Sequence, residues 1–291
     1  MISLHNDILK ADIDARASLY EHTRFDHAGQ IVQVTMHNRH TFLTTETKNP
    51  LKRATEGTGL SGEFGIHMPI GYDDCPVGEY FPKIGVGLLL KENTKPYDYF
   101  HIYKLEKDTK QIIQESDREL RIISSIEPCR GYAYEYEKRI SLDKNQIRIS
   151  YKLKNTGTKP ILTTEYCHNF VGFNDLNLDT NYTLSFDIPL HKNTFKELAN
   201  PNDCLIFDTN AMSWQSTPKE DFFIGDLGSI KKWQLENKKT KTAMSEEVQF
   251  TSPYCNVWGN AHVVSPEIFI SVDVKANETM QWERLYTFKE I

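Results

Sequence analysis

Along much of this chain apolar and polar residues take turns. Ile147, Ile149, Tyr151 and Leu153 are separated by Arg148, Ser150 and Lys152, which puts all four on one side of an extended segment. Residues 182–188 and 268–274 repeat the pattern, the second with a half-polar opposite side, and Tyr132, Tyr134 and Tyr136 alternate with Ala133 and Glu135. Successive side chains of a strand point to opposite faces, so this period predicts antiparallel sheets with one buried face.

Turn signals separate these segments. Asn155-Thr156-Gly157-Thr158-Lys159-Pro160 predicts a hairpin between two strands, and Asp143-Lys144-Asn145 and Lys275-Ala276-Asn277-Glu278 predict further turns. Helical periodicity is scarce, and residues 192–198 allow no more than a short helical turn. There is no internal repeat and no low-complexity linker. The expectation is one all-β domain over residues 1–291, a sandwich or barrel of many short strands. Residues 48–82 stand apart. They hold Gly57, Gly59, Gly62, Gly65, Gly71 and Gly78 together with Glu63, His67, Asp73, Asp74 and Glu79. A long polar loop of this kind is a site wall, a mobile flap or an excursion that covers a sheet edge.

Composition narrows the class. Hydrophobic residues make up 39% and charged residues 25%, as in soluble globular proteins. The net charge of −6, with basic residues interspersed among acids, argues against nucleic acid and anionic membrane as partners. No apolar run approaches the length of a membrane span. The first residues lack a basic stretch followed by an apolar one, so a cytoplasmic location is expected. Cys75, Cys129, Cys167, Cys204 and Cys255 are scattered without a CxxC, which predicts reduced thiols. No HxH or HExxH occurs, and no metal site is expected. Phosphate-binding glycine loops and the GxSxG elbow are likewise missing from the sequence.

The chemistry concentrates in Thr163-Thr164-Glu165-Tyr166-Cys167-His168-Asn169-Phe170. His168 follows a predicted strand, with Glu165, Tyr166 and Asn169 as hydrogen-bonding neighbours. An imidazole exchanges protons near neutral pH, although a lone histidine is more often structural than catalytic. Glu267 opens the strand 268–274 beside Pro266. On the residues alone it reads as an ordinary exposed glutamate; in an apolar setting its pKa would rise and it would serve as a base. The chain is rich in rings, with 14 Tyr, 15 Phe and 4 Trp. Rings cover the C–H faces of sugars while polar groups bind the hydroxyls. Trp258, a short way before Glu267, is a core residue or a flank of the same pocket.

Four stretches together resemble the aldose 1-epimerase (galactose mutarotase-like) family and cover almost the whole chain. They are Asn6-Asp7-Ile8-Leu9-Lys10-Ala11-Asp12-Ile13, Thr23-Arg24-Phe25-Asp26-His27-Ala28-Gly29-Gln30-Ile31, Leu153-Lys154-Asn155-Thr156-Gly157 leading into Tyr166-Cys167-His168-Asn169-Phe170, and residues 272–288 with Trp282-Glu283-Arg284-Leu285-Tyr286-Thr287-Phe288. The third is the most specific. The resemblance implies a large antiparallel β-supersandwich with few short helices. It implies a small-molecule sugar as partner, in a monomer or homodimer, and no metal or organic cofactor. It also implies a catalytic pair that opens and recloses a sugar ring, with His168 as general acid and Glu267 as general base. Arg24, Glu63 and Lys83 are implied hydroxyl-binding groups, with His67, Tyr166, Asn169 and Trp258 beside them.

The chain departs from the family pattern in two places. Gly59-Leu60-Ser61-Gly62-Glu63-Phe64-Gly65 has no histidine where the family has a second one, although His67 follows. His168-Asn169-Phe170-Val171-Gly172-Phe173-Asn174 replaces the usual His-x-Tyr-Phe-Asn. A carbohydrate-binding or sensing domain without catalysis is the alternative. A hexose-6-phosphate 1-epimerase ranks lower, because no cluster of Arg and Lys accompanies the proposed site.

Overall fold

The alternating segments are strands in the computed structural model of the protein, which describes residues 1–107, 109–190 and 195–291. Gln146–Asn155 buries Ile147, Ile149, Tyr151 and Leu153 and turns Arg148 and Lys152 to solvent. Two large antiparallel sheets result. The first runs Ile2–His5, Leu9–Asp14, Gln30–Met36, Leu60–Phe64, Ile161–Asn169, Val264–Val274, Cys255–Gly259, Phe222–Gly225 and Glu197–Ala199 in spatial order. The second runs Leu205–Phe207, Ala211–Trp214, Tyr182–Phe186, Lys232–Asn237, Thr242–Val248, Thr279–Glu290, Gln146–Asn155, Tyr134–Asp143, Glu119–Ser125 and Thr109–Ser116. A small sheet of Tyr80–Lys83, Gly87–Leu90 and Leu105–Lys107 pairs with neither but packs against their core through Leu88. Side chains from the two large sheets share one hydrophobic core, with Ile31, Leu60 and Ile268 from the first and Leu153, Tyr286 and Phe288 from the second. The expected all-β sandwich is borne out. Among the described residues the helical structure is two short 3-10 turns, Phe173–Asp175 and Pro201–Asp203. No helix among them is long and apolar enough to cross a membrane.

A polar network ties the middles of the two sheets together. Arg284, fully buried on Thr279–Glu290, donates to Glu165 and Glu246, each at 2.7 Å, and to the Ile268 carbonyl at 3.0 Å. Trp282 donates its indole N–H to Glu165 at 3.2 Å, and Trp233 donates to Glu246 at 2.7 Å. Ions removed from water persist only when paired and hydrogen-bonded, and these are both. The network fixes Ile161–Asn169 against the opposite sheet, and so fixes the strand that carries His168.

Three expectations change. The stretch Asn155–Pro160 makes no hairpin, since Gln146–Asn155 and Ile161–Asn169 belong to different sheets. Asn155 turns the chain across the sandwich instead. Its amide donates to the carbonyls of Lys159 and Val274, both at 2.9 Å, and its side-chain oxygen accepts the Gly157 N–H. The glycine-rich region 48–82 is not all loop, because Leu60–Phe64 is a central strand buried at every position. Such a strand shows no alternation. Gly59 opens it with φ +63 and lies so close to the Ile31 carbonyl that no Cβ fits. Of the helical turn expected at 192–198, residues 192–194 lie outside the described residues, and its end belongs to strand Glu197–Ala199.

Candidate active site

The strand Ile161–Asn169 lies between Leu60–Phe64 and Val264–Val274. Its side chains alternate: Glu165, Cys167 and Asn169 point into the sandwich, and Tyr166 and His168 point to the outer face. Tyr166 pairs with Glu63 on one side and Phe269 on the other, and His168 pairs with Ser61. Continuing the Tyr166–Phe269 register by two residues sets His168 opposite Glu267. The two side chains meet, with His168 Nε2 at 3.1 Å from Glu267 Oε1. Both line a cavity of about 590 Å³ on this face.

The imidazole sits among rings. Phe170 stacks on it at 4.1 Å between centroids, and Phe25 and Trp258 meet it edge-on at 5.8 and 5.4 Å. Burial in these surroundings, reinforced by the nearby Arg24 cation, holds the His168 pKa well below the ordinary histidine value. Its Nδ1 has no hydrogen-bond partner among the described residues. Burial pushes Glu267 up to about 8, even with the Ser265 hydroxyl donating to Oε1 at 3.2 Å. Burial disfavours charge on both groups, so near neutrality the pair holds one titratable proton between them.

Beside the pair stands Arg24. Its Nε donates to Glu63 at 3.0 Å and its Nη2 donates to the Tyr166 hydroxyl at 3.1 Å, while that hydroxyl donates to Glu63 at 2.6 Å. The guanidinium lies over the rings of Phe25 and Tyr99, at 4.6 and 4.8 Å. The fork of the guanidinium is thus oriented on one edge while the residue lines the cavity.

Of the residues singled out in the sequence, Arg24, His67, Tyr166, His168, Trp258 and Glu267 line this cavity. Glu63, Lys83 and Asn169 do not. Glu63 is fully buried behind Arg24 and Tyr166. Lys83 is buried further back, with Nζ at 3.5 Å from both Glu63 and the Gly65 carbonyl, and burial brings its pKa down to about 8. Asn169 points into the sandwich, where it donates to Glu246 at 3.0 Å and to the Pro266 carbonyl at 2.6 Å.

Other lining residues escaped the sequence reading, among them Glu46, Glu56, Tyr99, Asp221, Phe223 and Asn256. Asn256 was accessible from alternation, because it shares a face with Trp258 and stands opposite Glu267. Glu46, Glu56, Tyr99 and Asp221 come from irregular segments without periodic signal. Among the described residues no group of three or more side chains suited to a metal ion comes together.

No family profile matches the sequence, and no curated protein matches it. Solved structures do. A galactose mutarotase-like protein from Clostridium acetobutylicum superposes with a TM-score of 0.63 at 12% identity, covering 99% of this chain and 95% of the other. One from Lactobacillus casei gives a TM-score of 0.62 at 11% identity, covering 99% and 100%. A candidate aldose 1-epimerase from Escherichia coli gives 0.63 at 10% identity, covering 100% and 99%. The likeness spans both large sheets, and the chain has the galactose mutarotase-like fold.

Proposed function

We propose that the chain is an aldose 1-epimerase-like enzyme, interconverting the anomers of a free or modified sugar by opening and reclosing its ring. The observation that carries this reading is the 3.1 Å contact of His168 and Glu267 on an aromatic-lined cavity. The C1 hydroxyl and the ring oxygen of a pyranose are bonded to one carbon and lie side by side. An acid and a base in contact can address both at once. One takes the proton of the C1 hydroxyl as the other protonates the ring oxygen. The bond from C1 to the ring oxygen breaks and leaves an open-chain aldehyde. Rotation about C1–C2 presents the other carbonyl face, and closure returns the proton.

The pair shares one titratable proton, so in the opening step one member gives a proton to the ring oxygen and the other takes the proton of the C1 hydroxyl. The resemblance implies His168 as the acid and Glu267 as the base of this step, and closure exchanges the two roles. The pair ends as it began, with one proton. Trp258 offers a flat surface to a C–H face of the sugar, and Arg24 offers N–H donors to its hydroxyls. Glu46, Glu56, Glu197 and Asp221 line the same cavity, which disfavours a phosphorylated sugar.

Exchange NMR on a panel of free sugars tests the reading. For at least one sugar the anomer exchange rate should rise in proportion to protein concentration. Binding without faster exchange favours the carbohydrate-binding or sensing alternative instead.

A further inference from the structure

A second cavity of about 250 Å³ adjoins the one that holds His168 and Glu267, and the two share Arg24, Glu46, Glu56 and Phe100 as lining residues. His22, Phe25, Lys52, Thr55 and Ile102 line the second alone, and the His168–Glu267 pair lines only the first. The first, of about 590 Å³, falls in the range of sites that enclose drug-sized ligands, and a single hexose is smaller than those. A monosaccharide at His168 and Glu267 therefore leaves adjoining space unfilled.

The second cavity has an apolar rim on a fixed backbone. Phe100 is 69% exposed and Ile102 47%, and both line it. Apolar side chains exposed singly are ordinary, but these two stand together at one concave surface. His22 accepts the Arg24 backbone N–H at Nδ1, 3.1 Å away, which leaves its Nε2 to donate to the Phe100 carbonyl at 3.2 Å. The backbone N–H of Tyr103 donates to the Thr23 hydroxyl at 3.1 Å. Residues 100–103 are thus tied at both ends to the segment that carries Arg24. The same cavity holds Thr55, Glu46 and the Lys52–Glu56 pair, whose charged atoms are 3.5 Å apart. An ammonium, a hydroxyl and carboxylates supply donors and acceptors for neutral hydroxyls, and a phenyl ring covers a C–H face.

We infer that the substrate is a reducing sugar extended by a second sugar unit. Its reducing end lies at His168 and Glu267, and the second unit lies in the adjoining cavity against Phe100. The inference rests on the sugar reading above and adds the substrate class.

Binding decides it independently of catalysis. The intact protein is titrated, by calorimetry or ligand-observed NMR, with glucose, galactose and mannose and with the 4- and 6-linked reducing disaccharides built on each. At least one disaccharide should bind about tenfold or more tighter than the hexose at its reducing end. That ratio should fall severalfold in Phe100→Ala and in Ile102→Ser, and should vanish in Thr55→Trp, which fills the second cavity. Equal binding of every disaccharide and its hexose, or binding of none, overturns the inference, as does a ratio that survives all three variants. A benzyl ether of the same hexose that binds as tightly as the disaccharide also overturns it, because the second cavity is then an apolar pocket and not a sugar subsite. Faster anomer exchange of hexoses without a disaccharide advantage removes this inference and leaves the catalytic reading. A disaccharide advantage without faster exchange does the opposite.

Discussion

His168 Nε2 stands 3.1 Å from Glu267 Oε1 because the register of two neighbouring strands sets the residues opposite each other on the outer face of a sheet. Neither depends on a loop for its position. Strand-borne groups locked by packing hold catalytic geometry more tightly than loop-borne ones. Burial moves the two groups in opposite directions, His168 down and Glu267 up, so one proton serves both.

This sets the pH dependence of anomer exchange. Activity should be level through neutrality, then fall about tenfold per pH unit above the Glu267 value, as a single deprotonation removes the acid. That value is about 8. On the acid side activity should hold to below the ordinary histidine range, because His168 resists protonation. A profile rising through pH 6.5 to a maximum above pH 9 contradicts a pair that works with one shared proton. That outcome is read from initial rates by polarimetry.

The same burial affects stability. Glu267 has a folded value of about 8 against an ordinary value of 4.5, so between these the folded state holds a proton that the unfolded state lacks. Its contribution to stability is therefore fully present below 4.5 and is lost as pH rises toward 8. Glu267→Gln removes the titration. In thermal melts the variant should exceed the parent at pH 8.5 by roughly 1–4 kcal/mol, with each pKa unit worth about 1.4 kcal/mol. The gap should close toward pH 5.

Tyr166 is the hinge of the Arg24 anchor. Tyr166→Phe deletes the hydroxyl that accepts from Arg24 and donates to Glu63. The expected loss is about 1–2 kcal/mol in urea unfolding, the size of a buried hydrogen bond. Steady-state kinetics should show KM rising more than kcat falls. An unchanged KM argues that Arg24 does not touch the sugar.

Arg284 holds the sandwich together beneath the site. Arg284→Met leaves Glu165 and Glu246 buried without their common cation. Breaking a buried pair from one side costs about 3–5 kcal/mol, and urea unfolding should show a loss of that order. A loss below about 1 kcal/mol contradicts the structural role given to the network.

Much of this was legible in the chain because alternation is a direct record of a half-buried strand. Ile147 to Leu153 declared their strand, and the parity of Tyr166 and His168 placed both on one face. The same parity sends Asn169 the other way, a consequence open to the sequence reading. Leu60–Phe64 was hidden because both of its faces are buried. The turn at Asn155 looked like a hairpin because turn residues mark a change of direction without naming the sheet entered next. Glu46 and Asp221 reach the cavity from segments far apart in the chain, and only the packed fold brings them together.

The most direct test of the account is the anomer exchange rate of an accepted sugar, measured by exchange NMR on the parent, His168→Asn and Glu267→Gln at equal concentration. The account predicts acceleration by the parent and a loss of at least about a hundredfold in each variant, since a positioned acid or base contributes about 10²–10⁴-fold. Sugar binding should persist in both. An active parent whose two variants keep its rate contradicts it.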